Sequence, residues 1–509
     1  MIRKKTDRIS DLYDNEIEDL DETEDMEDIE EEEDIFRKRT RECILYVTFA
    51  FTFIFIGMIV YFGYFIQVRS QNIIGSSYNA RLDRFSDRVV RGKILSADGK
   101  ELAMTRVSPG GEETRYYPYD YLYLHAVGYS GKNGKTGLES LGNFYLLSSH
   151  ANLIERVANE FMGEKNAGDN LVTTLDSRLQ ETADAAIGKR RGAVIAMRPD
   201  TGAILAMVSQ PNFSANVVDE RWEELNEDSE EKAWFVNRAS QGLYPPGSTF
   251  KILTLLEYIR ENPDDWKNFT YHCDGAYHSG SYTINCYHGE AHGDQNIVQA
   301  FANSCNGAFA VIGEEIDPVR FKSLAETCYF NRDLPFALPS SRSGFRLEES
   351  SGDWEKAQTA IGQGKTQITA MLNLMITAAC ANGGTMMRPV LMDHVENAGG
   401  QTIRTFAPQS LGNVMTAEEA GILSGMMREV VVSGTGSAFR DAPYTAAGKT
   451  GTAETGRQTE SHAWYVGFAP AENPEIAVCV ILEEGGSGGS QAAPVARAVM
   501  DRYMELYGN

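Results

Sequence analysis

Residues 43–66, CILYVTFAFTFIFIGMIVYFGYFI, form a run of 24 positions without a charge, and this run sets the plan of the whole chain. As a helix rising about 1.5 Å per residue it is roughly 36 Å long, enough to cross a hydrocarbon slab of ~30 Å with some tilt. A cleaved signal sequence fits poorly, because the run is too long and no small-residue cleavage site stands out. Arg37, Lys38, Arg39 and Arg41 stand just before it, and only Arg69 follows closely. That bias predicts a single-pass anchor with its N-terminus in the cytoplasm and everything after residue 66 outside the cell membrane. No later segment is apolar enough to cross again, so one anchor and one large exported part are expected.

Ahead of the anchor, Asp7 to Asp34 holds 17 Asp or Glu and little that could fill a core. This predicts a disordered acidic cytoplasmic tail over residues 1–42. The formal charge of −25 argues against a nucleic-acid partner, which needs a cationic face. At 509 residues the chain exceeds one ordinary core. A smaller β-rich spacer or docking domain is expected over 67–168, where Asp98-Gly99 marks a turn between short strands, and a principal domain over 169–509.

In that principal domain, Arg178 to Ile187 has helical spacing, and 192–197 and 203–208 are apolar runs about the turn Pro199-Asp200-Thr201-Gly202. Three more strand candidates come late, at 444–449, 464–468 and 476–482, followed by a helical stretch from Ala492 to Leu506. Two strands early and three late, with helical material between, predict an α/β (α+β) domain: one antiparallel five-stranded sheet covered by helices.

Three short segments carry the chemistry. Tyr244-Pro245-Pro246-Gly247 leads into Ser248-Thr249-Phe250-Lys251 and then an apolar helical phase, which places Ser248 near a helix N-terminus. Lys251, three residues on, lies on the same helix face and can approach the hydroxyl. A lysine kept neutral by desolvation can accept the proton of a serine that no solvent base would activate. Ser304-Cys305-Asn306 offers a hydroxyl and an amide on one side of an extended or turn backbone, suited to proton relay and substrate binding. Lys449-Thr450-Gly451-Thr452 reads as a strand edge lining a cleft: Gly451 leaves room for a substrate backbone, and Lys449 with Thr450 or Thr452 can hold a carboxylate. Each segment alone is common; the three in this order and context are not.

Seven cysteines leave more than one reading open. Cys273 and Cys286 share a polar, turn-rich stretch with His272, His278, His288 and His292. A loop disulfide, separate satisfied side chains or a metal site would each suit an exported domain. The spacing matches no standard zinc pattern, so no metal ligands are assigned. His462 lies near the Lys449 strand without a triad partner and is read as structural.

The three segments together resemble the penicilloyl serine transferases, in which S-x-x-K opens a helix and K-T-G lies on a late strand. Supporting stretches are R-V-V-R-G-K-I-L-S-A-D-G-K-E-L-A (88–103), T-T-L-D-S-R-L-Q (173–180), N-R-A (237–239), I-G-Q-G (361–364), A-N-G-G-T (381–385) and A-G-K-T-G-T-A-E (447–454). With the anchor, they make the chain similar to a compact bitopic class B penicillin-binding protein, a peptidoglycan D,D-transpeptidase with a fold like the serine beta-lactamases. The resemblance implies Ser248 as acylated nucleophile and Lys251 as its base, with Ser304 and Asn306 as the middle motif. Lys449, Thr450, Gly451 and Thr452 would bind substrate, and the backbone N–H groups of Ser248 and Thr452 would form the oxyanion hole. It further implies peptidoglycan stem peptides as substrate, beta-lactams as covalent inhibitors, no cofactor, and a polytopic membrane glycan polymerase as neighbour. Hydrolases of the same motif set, namely D,D-carboxypeptidases and beta-lactamases, are the rival enzymes. A non-catalytic beta-lactam sensor or wall-synthesis scaffold is the rival of another kind. At Ser96-Ala97-Asp98-Gly99 the chain departs from the more usual Asp-Arg-Asn-Gly of the family.

Overall fold

The computed structural model describes residues 22–66, 88–227, 233–280, 282–454 and 460–508. The first 21 residues of the expected acidic tail, Arg69 and the start of the expected spacer lie outside them.

The N-terminal unit contains one 43-residue helix, Glu22–Tyr64. Its stretch Asp34–Tyr64 is long and apolar enough to cross a membrane, in agreement with the apolar run of the sequence. The expectation of disorder is corrected from Glu22 onward, because the helix begins there rather than at the membrane boundary. The physical reason lies in the residues: glutamates are good helix formers, and acidic side chains near a helix N-terminus are favoured by its dipole.

The second unit, Gly75–Asn509, is built on two sheets. The first has six strands in the order Thr402–Thr405, Met392–Glu396, Asn170–Thr173, Ile94–Leu95, Glu101–Val107, Glu113–Tyr116. Strands from before and after residue 168 are thus hydrogen-bonded side by side, Ile94 pairing parallel with Leu171 and Val395 antiparallel with Leu171 on its other edge. The division expected at residue 168 is therefore one between chain segments, not between packing units. Glu139, fully buried, ties this region together by pairing with Arg91 at 2.7 Å and Arg115 at 2.6 Å.

The second sheet is the antiparallel five-stranded one, with β1 (Gly192–Met197), β2 (Ile204–Gln210), β3 (Ala447–Ala453), β4 (His462–Ala469) and β5 (Ile476–Leu482) in the order β2-β1-β5-β4-β3. Chain ends meet at its centre, where Ile195 of β1 faces Cys479 of β5. Both faces of the central strands are apolar because both are covered. The relevant helices are α1 (Ser177–Ile187), α2 (Lys251–Glu261), α3 (Ile297–Ala302), α4 (Asn306–Glu315), α5 (Ala370–Ala381), α6 (Ala417–Val432) and α7 (Ala493–Tyr507). One face, with Val194, Ala196, Val478 and Val480, packs on α1 and α7. The other, with Ala193, Ile195, Cys479 and Ile481, packs on α5. α5 reads AMLNLMITAACA, apolar on every side because nearly every side is buried. Helix starts follow local chemistry: Asp176 caps α1 by accepting the Arg178 and Leu179 amides, and capping boxes Asn296/Gln299 and Thr416/Glu419 open α3 and α6.

Candidate active site

The nucleophile candidate sits in a single 3-10 turn, Gly247–Phe250, that runs directly into α2. Gly247 adopts φ +54, the left-handed region that glycine enters without penalty. It is also crowded: a Cβ there would lie 2.8 Å from the Thr452 carbonyl oxygen and 3.1 Å from Ala453 Cβ. The turn carrying Ser248 and the β3 edge carrying Thr452 are therefore in backbone contact, which brings the two expected oxyanion donors to one place. From below, buried Asn373 of α5 donates to Thr249 Oγ1 (3.0 Å), and Thr249 donates to the Pro246 carbonyl (2.9 Å). The Gly247 amide also donates to the Gly362 carbonyl (2.8 Å), so the I-G-Q-G stretch buttresses the turn.

Ser304 lies between α3 and α4, and Asn306 opens α4. Of the extended or turn backbone expected here, the structure has the turn: Ser304 has φ +58, a conformation strained for a residue with a side chain. The result is convergence. Lys251 Nζ donates to the Ser304 carbonyl (2.7 Å) and to Asn306 Oδ1 (2.8 Å), and stands 3.4 Å from Ser304 Oγ. From the opposite side Lys449 Nζ donates to the same Ser304 hydroxyl (2.8 Å). Both lysines are 0% exposed, with Phe309 and Phe301 rings 5.3 and 5.6 Å from their ammonium nitrogens. Burial pushes Lys251 down to about 8, and burial reinforced by the Lys251 charge holds Lys449 well below the usual lysine range.

Ser248, Ser304, Asn306, Thr450 and Thr452 are among the residues that line a cleft of about 1500 Å³. Thr450 Oγ1 is hydrogen-bonded to Thr435 Oγ1 at 2.5 Å, so a residue absent from the sequence reading completes the hydroxyl pair on β3. Gly451 is close-packed as well: a Cβ there would meet Trp464 Cβ at 3.0 Å and Thr249 Cγ2 at 3.1 Å. One wall was not foreseen. Glu483 at the end of β5 accepts from Tyr244 Oη (2.7 Å) and Arg238 Nε (2.8 Å) and pairs with Arg191 (2.9 Å), tying the approach to Ser248 onto the sheet. Arg238 stands within the N-R-A stretch; its partner 245 residues away could not be read from spacing. His462 accepts the Glu484 amide through Nδ1 (3.0 Å) and packs edge-on against Tyr244, as suits a structural residue.

Behind the middle motif, buried Cys305 joins two other cysteines and a histidine. Its sulfur lies 3.8 Å from Cys286 Sγ, which lies 3.7 Å from Cys273 Sγ, and Cys273 Sγ is 3.3 Å from His292 Nδ1. At 2.03–2.05 Å for a sulfur–sulfur bond, no disulfide joins these cysteines, and the loop disulfide reading is corrected: all of them are free.

Comparison with known proteins agrees with this geometry. Residues 192–501 match the penicillin binding protein transpeptidase domain, and residues 91–171 match the penicillin binding protein A dimerisation domain. The chain is 32% identical over 454 residues to the peptidoglycan D,D-transpeptidase PbpA of Mycolicibacterium smegmatis, covering 82% of this chain and 89% of that one. It is 29% identical to the peptidoglycan D,D-transpeptidase MrdA of Acinetobacter baumannii, over 83% and 73% of the two chains. Among solved structures, the D,D-transpeptidase domain of a peptidoglycan glycosyltransferase from Eggerthella lenta superposes with TM-score 0.75 at 31% identity, covering 83% of this chain and 99% of that one. The ceftriaxone acyl-enzyme complex of penicillin-binding protein A from M. tuberculosis gives TM-score 0.75 at 29% identity, with the same coverage. The chain belongs to the class B penicillin-binding protein transpeptidase family. It is a serine-type transpeptidase with one candidate membrane anchor among the described residues.

Proposed function

We propose that this enzyme cross-links peptidoglycan stem peptides through an acyl-enzyme on Ser248. The carrying observation is the convergence of two buried lysines on Ser304, one on the helix that follows Ser248 and the other on the strand beside it. Neutral Lys251 takes the Ser248 proton as Oγ bonds to the penultimate D-Ala carbonyl carbon. With a lysine near 8, about one-tenth is neutral at pH 7. The amides of Ser248 and Thr452 receive the oxyanion. The carbon–nitrogen bond to the terminal D-Ala then breaks, and that nitrogen collects a proton relayed through Ser304 from the lysine pair. An amine of a second stem attacks the ester, and Ser248 Oγ leaves with its proton restored. Lys449, Thr450 and Thr452 hold the donor's terminal carboxylate, while Gly451 between the two threonines lets β3 pack closely on Trp464 and Thr249. Beta-lactams enter the same hole and stall there, because their leaving group stays tethered to the acyl carbon.

The cation bias around the anchor supports a cytoplasmic N-terminus and an extracellular catalytic unit. An enzyme so placed acts on nascent glycan beside the membrane, and a polytopic glycan polymerase is its proposed neighbour. Incubating the chain with a D-Ala-D-Ala donor and a saturating amine acceptor tests the proposal. Cross-linked product with D-Ala release supports it; hydrolysed donor alone would refute transfer in favour of a carboxypeptidase.

A further inference from the structure

Three thiols and an imidazole meet directly behind the middle motif. Cys273, Cys286, His292 and Cys305 present four ligand atoms all within 4.8 Å of one another, with the three cysteines buried. They come from separate pieces of backbone. Cys273 ends the strand Thr270–Cys273, Cys286 follows the strand Tyr282–Asn285, His292 precedes the strand Gly293–Asn296, and Cys305 caps α4. Four zinc-competent groups arriving from four segments do not need one another for packing. Apolar residues would fill such a space at lower cost in specificity.

The distances discriminate among the uses of such a cluster. A disulfide would require one pair at about 2.05 Å. A tetrahedral zinc with bonds of about 2.3 Å to sulfur and about 2.0–2.1 Å to nitrogen separates sulfurs by roughly 3.8 Å and sulfur from nitrogen by roughly 3.6 Å. The observed separations are 3.7 and 3.8 Å between sulfurs and 3.3 Å from Cys273 Sγ to His292 Nδ1. Thiolates and imidazole are soft and borderline donors, which suits zinc better than magnesium or calcium. Four protein ligands close the coordination sphere, the pattern of a structural rather than a hydrolytic metal.

The geometry points to a structural zinc site formed by Cys273, Cys286, His292 and Cys305, which fastens the 270–296 segment to the middle motif and so fixes Ser304 and Asn306 against the two lysines. Binding releases the three thiol protons, leaving three thiolates and a neutral imidazole on the ion. The Ala308 amide already points at Cys305 Sγ at 3.4 Å, an N–H···S contact of the kind that steadies a metal thiolate. Cys305 is the hinge of the argument. Its neighbours on either side are the two residues that Lys251 grips, and Ser304 is held at φ +58. A metal bond at Cys305 would hold that backbone in place without touching substrate, making the ligands positioning residues. The positioning half rests on the assignment of Ser304 and Asn306 given above; the metal half does not.

The full chain, purified in detergent under mild reductant and dialysed against metal-free buffer, should retain one zinc per polypeptide by elemental analysis. Exchange with cobalt(II) should give the visible bands and sulfur-to-cobalt charge transfer of a tetrahedral thiolate site. Cys273→Ser and Cys286→Ser should lose the metal, whereas Cys479→Ser, in the sheet, should keep it. Chelation should slow penicillin acylation of Ser248 by at least about tenfold, with recovery on adding zinc. Wild-type protein that neither retains zinc nor gives the cobalt spectrum overturns the site, and a Cys273–Cys286 disulfide found by non-reducing peptide mapping overturns it too. One tightly held zinc whose removal leaves acylation unchanged overturns the positioning role alone.

Discussion

Gly247→Ala isolates the contact on which the active site depends. Two costs follow from the structure. An alanine at φ +54 occupies a left-handed conformation at about 1–2 kcal/mol. Its Cβ would also stand 2.8 Å from the Thr452 carbonyl oxygen, a backbone atom of a strand paired along its whole length with β4. Relief requires the Ser248 turn and β3 to separate by about half an ångström, since carbon and oxygen settle at roughly 3.3 Å or more. That separation moves the Ser248 and Thr452 amides apart, and removal of one oxyanion donor elsewhere costs about 10²–10³ in rate. We expect acylation by a fluorescent penicillin to fall about 100-fold, while stability falls by about 1–3 kcal/mol and circular dichroism stays native. Gly163→Ala is the control: Gly163 has φ +69 but open space at its Cβ, so that variant should show the stability loss without the rate loss. Acylation of Gly247→Ala within threefold of wild type would refute the reasoning that backbone contact between turn and strand builds the oxyanion site.

Other outcomes follow from the same geometry. Lys251 must be neutral to take a proton, and burial sets it at about 8; acylation should therefore rise as pH climbs through about 8 and level off above, whereas a flat profile would remove Lys251 as base. Glu139→Ala strands Arg91 and Arg115 and should cost about 3–5 kcal/mol by thermal unfolding. The same carboxylate is held below its usual range by those arginines, so its stabilisation is present above the ordinary glutamate pKa and is lost as pH falls through its own lower value. Thr435→Val removes the partner of Thr450 and should raise KM for a carboxylate-terminated donor about fivefold with kcat nearly unchanged, corresponding to about 1 kcal/mol.

Some of this was legible in the residues and some was not, for physical reasons. The five-stranded sheet could be read because buried strands such as IAVCVIL are short, apolar and bounded by turns, and Pro199-Asp200-Thr201-Gly202 announces its hairpin. Ser248, Lys251 and Lys449 were legible because their motifs are local. The six-stranded sheet was not, since it recruits Met392–Glu396 next to Asn170–Thr173 across more than 200 positions, a pairing no local pattern encodes. The Glu483 tie to Arg238 and Tyr244 was hidden by the same kind of distance. The helical acidic segment from Glu22 shows composition misleading in another way: acidity forbids a core but does not forbid a helix. In the cysteines, spacing alone left three readings open, and only the fold brings Cys305 to Cys286 and Cys273 to His292.

The most direct test of the central claim is peptide-level mass spectrometry of the folded full chain after brief exposure to benzylpenicillin. The account predicts one penicilloyl group per chain, carried on Ser248 and abolished by Ser248→Ala with the fold intact. An adduct on another residue, or none on natively folded protein, would contradict it.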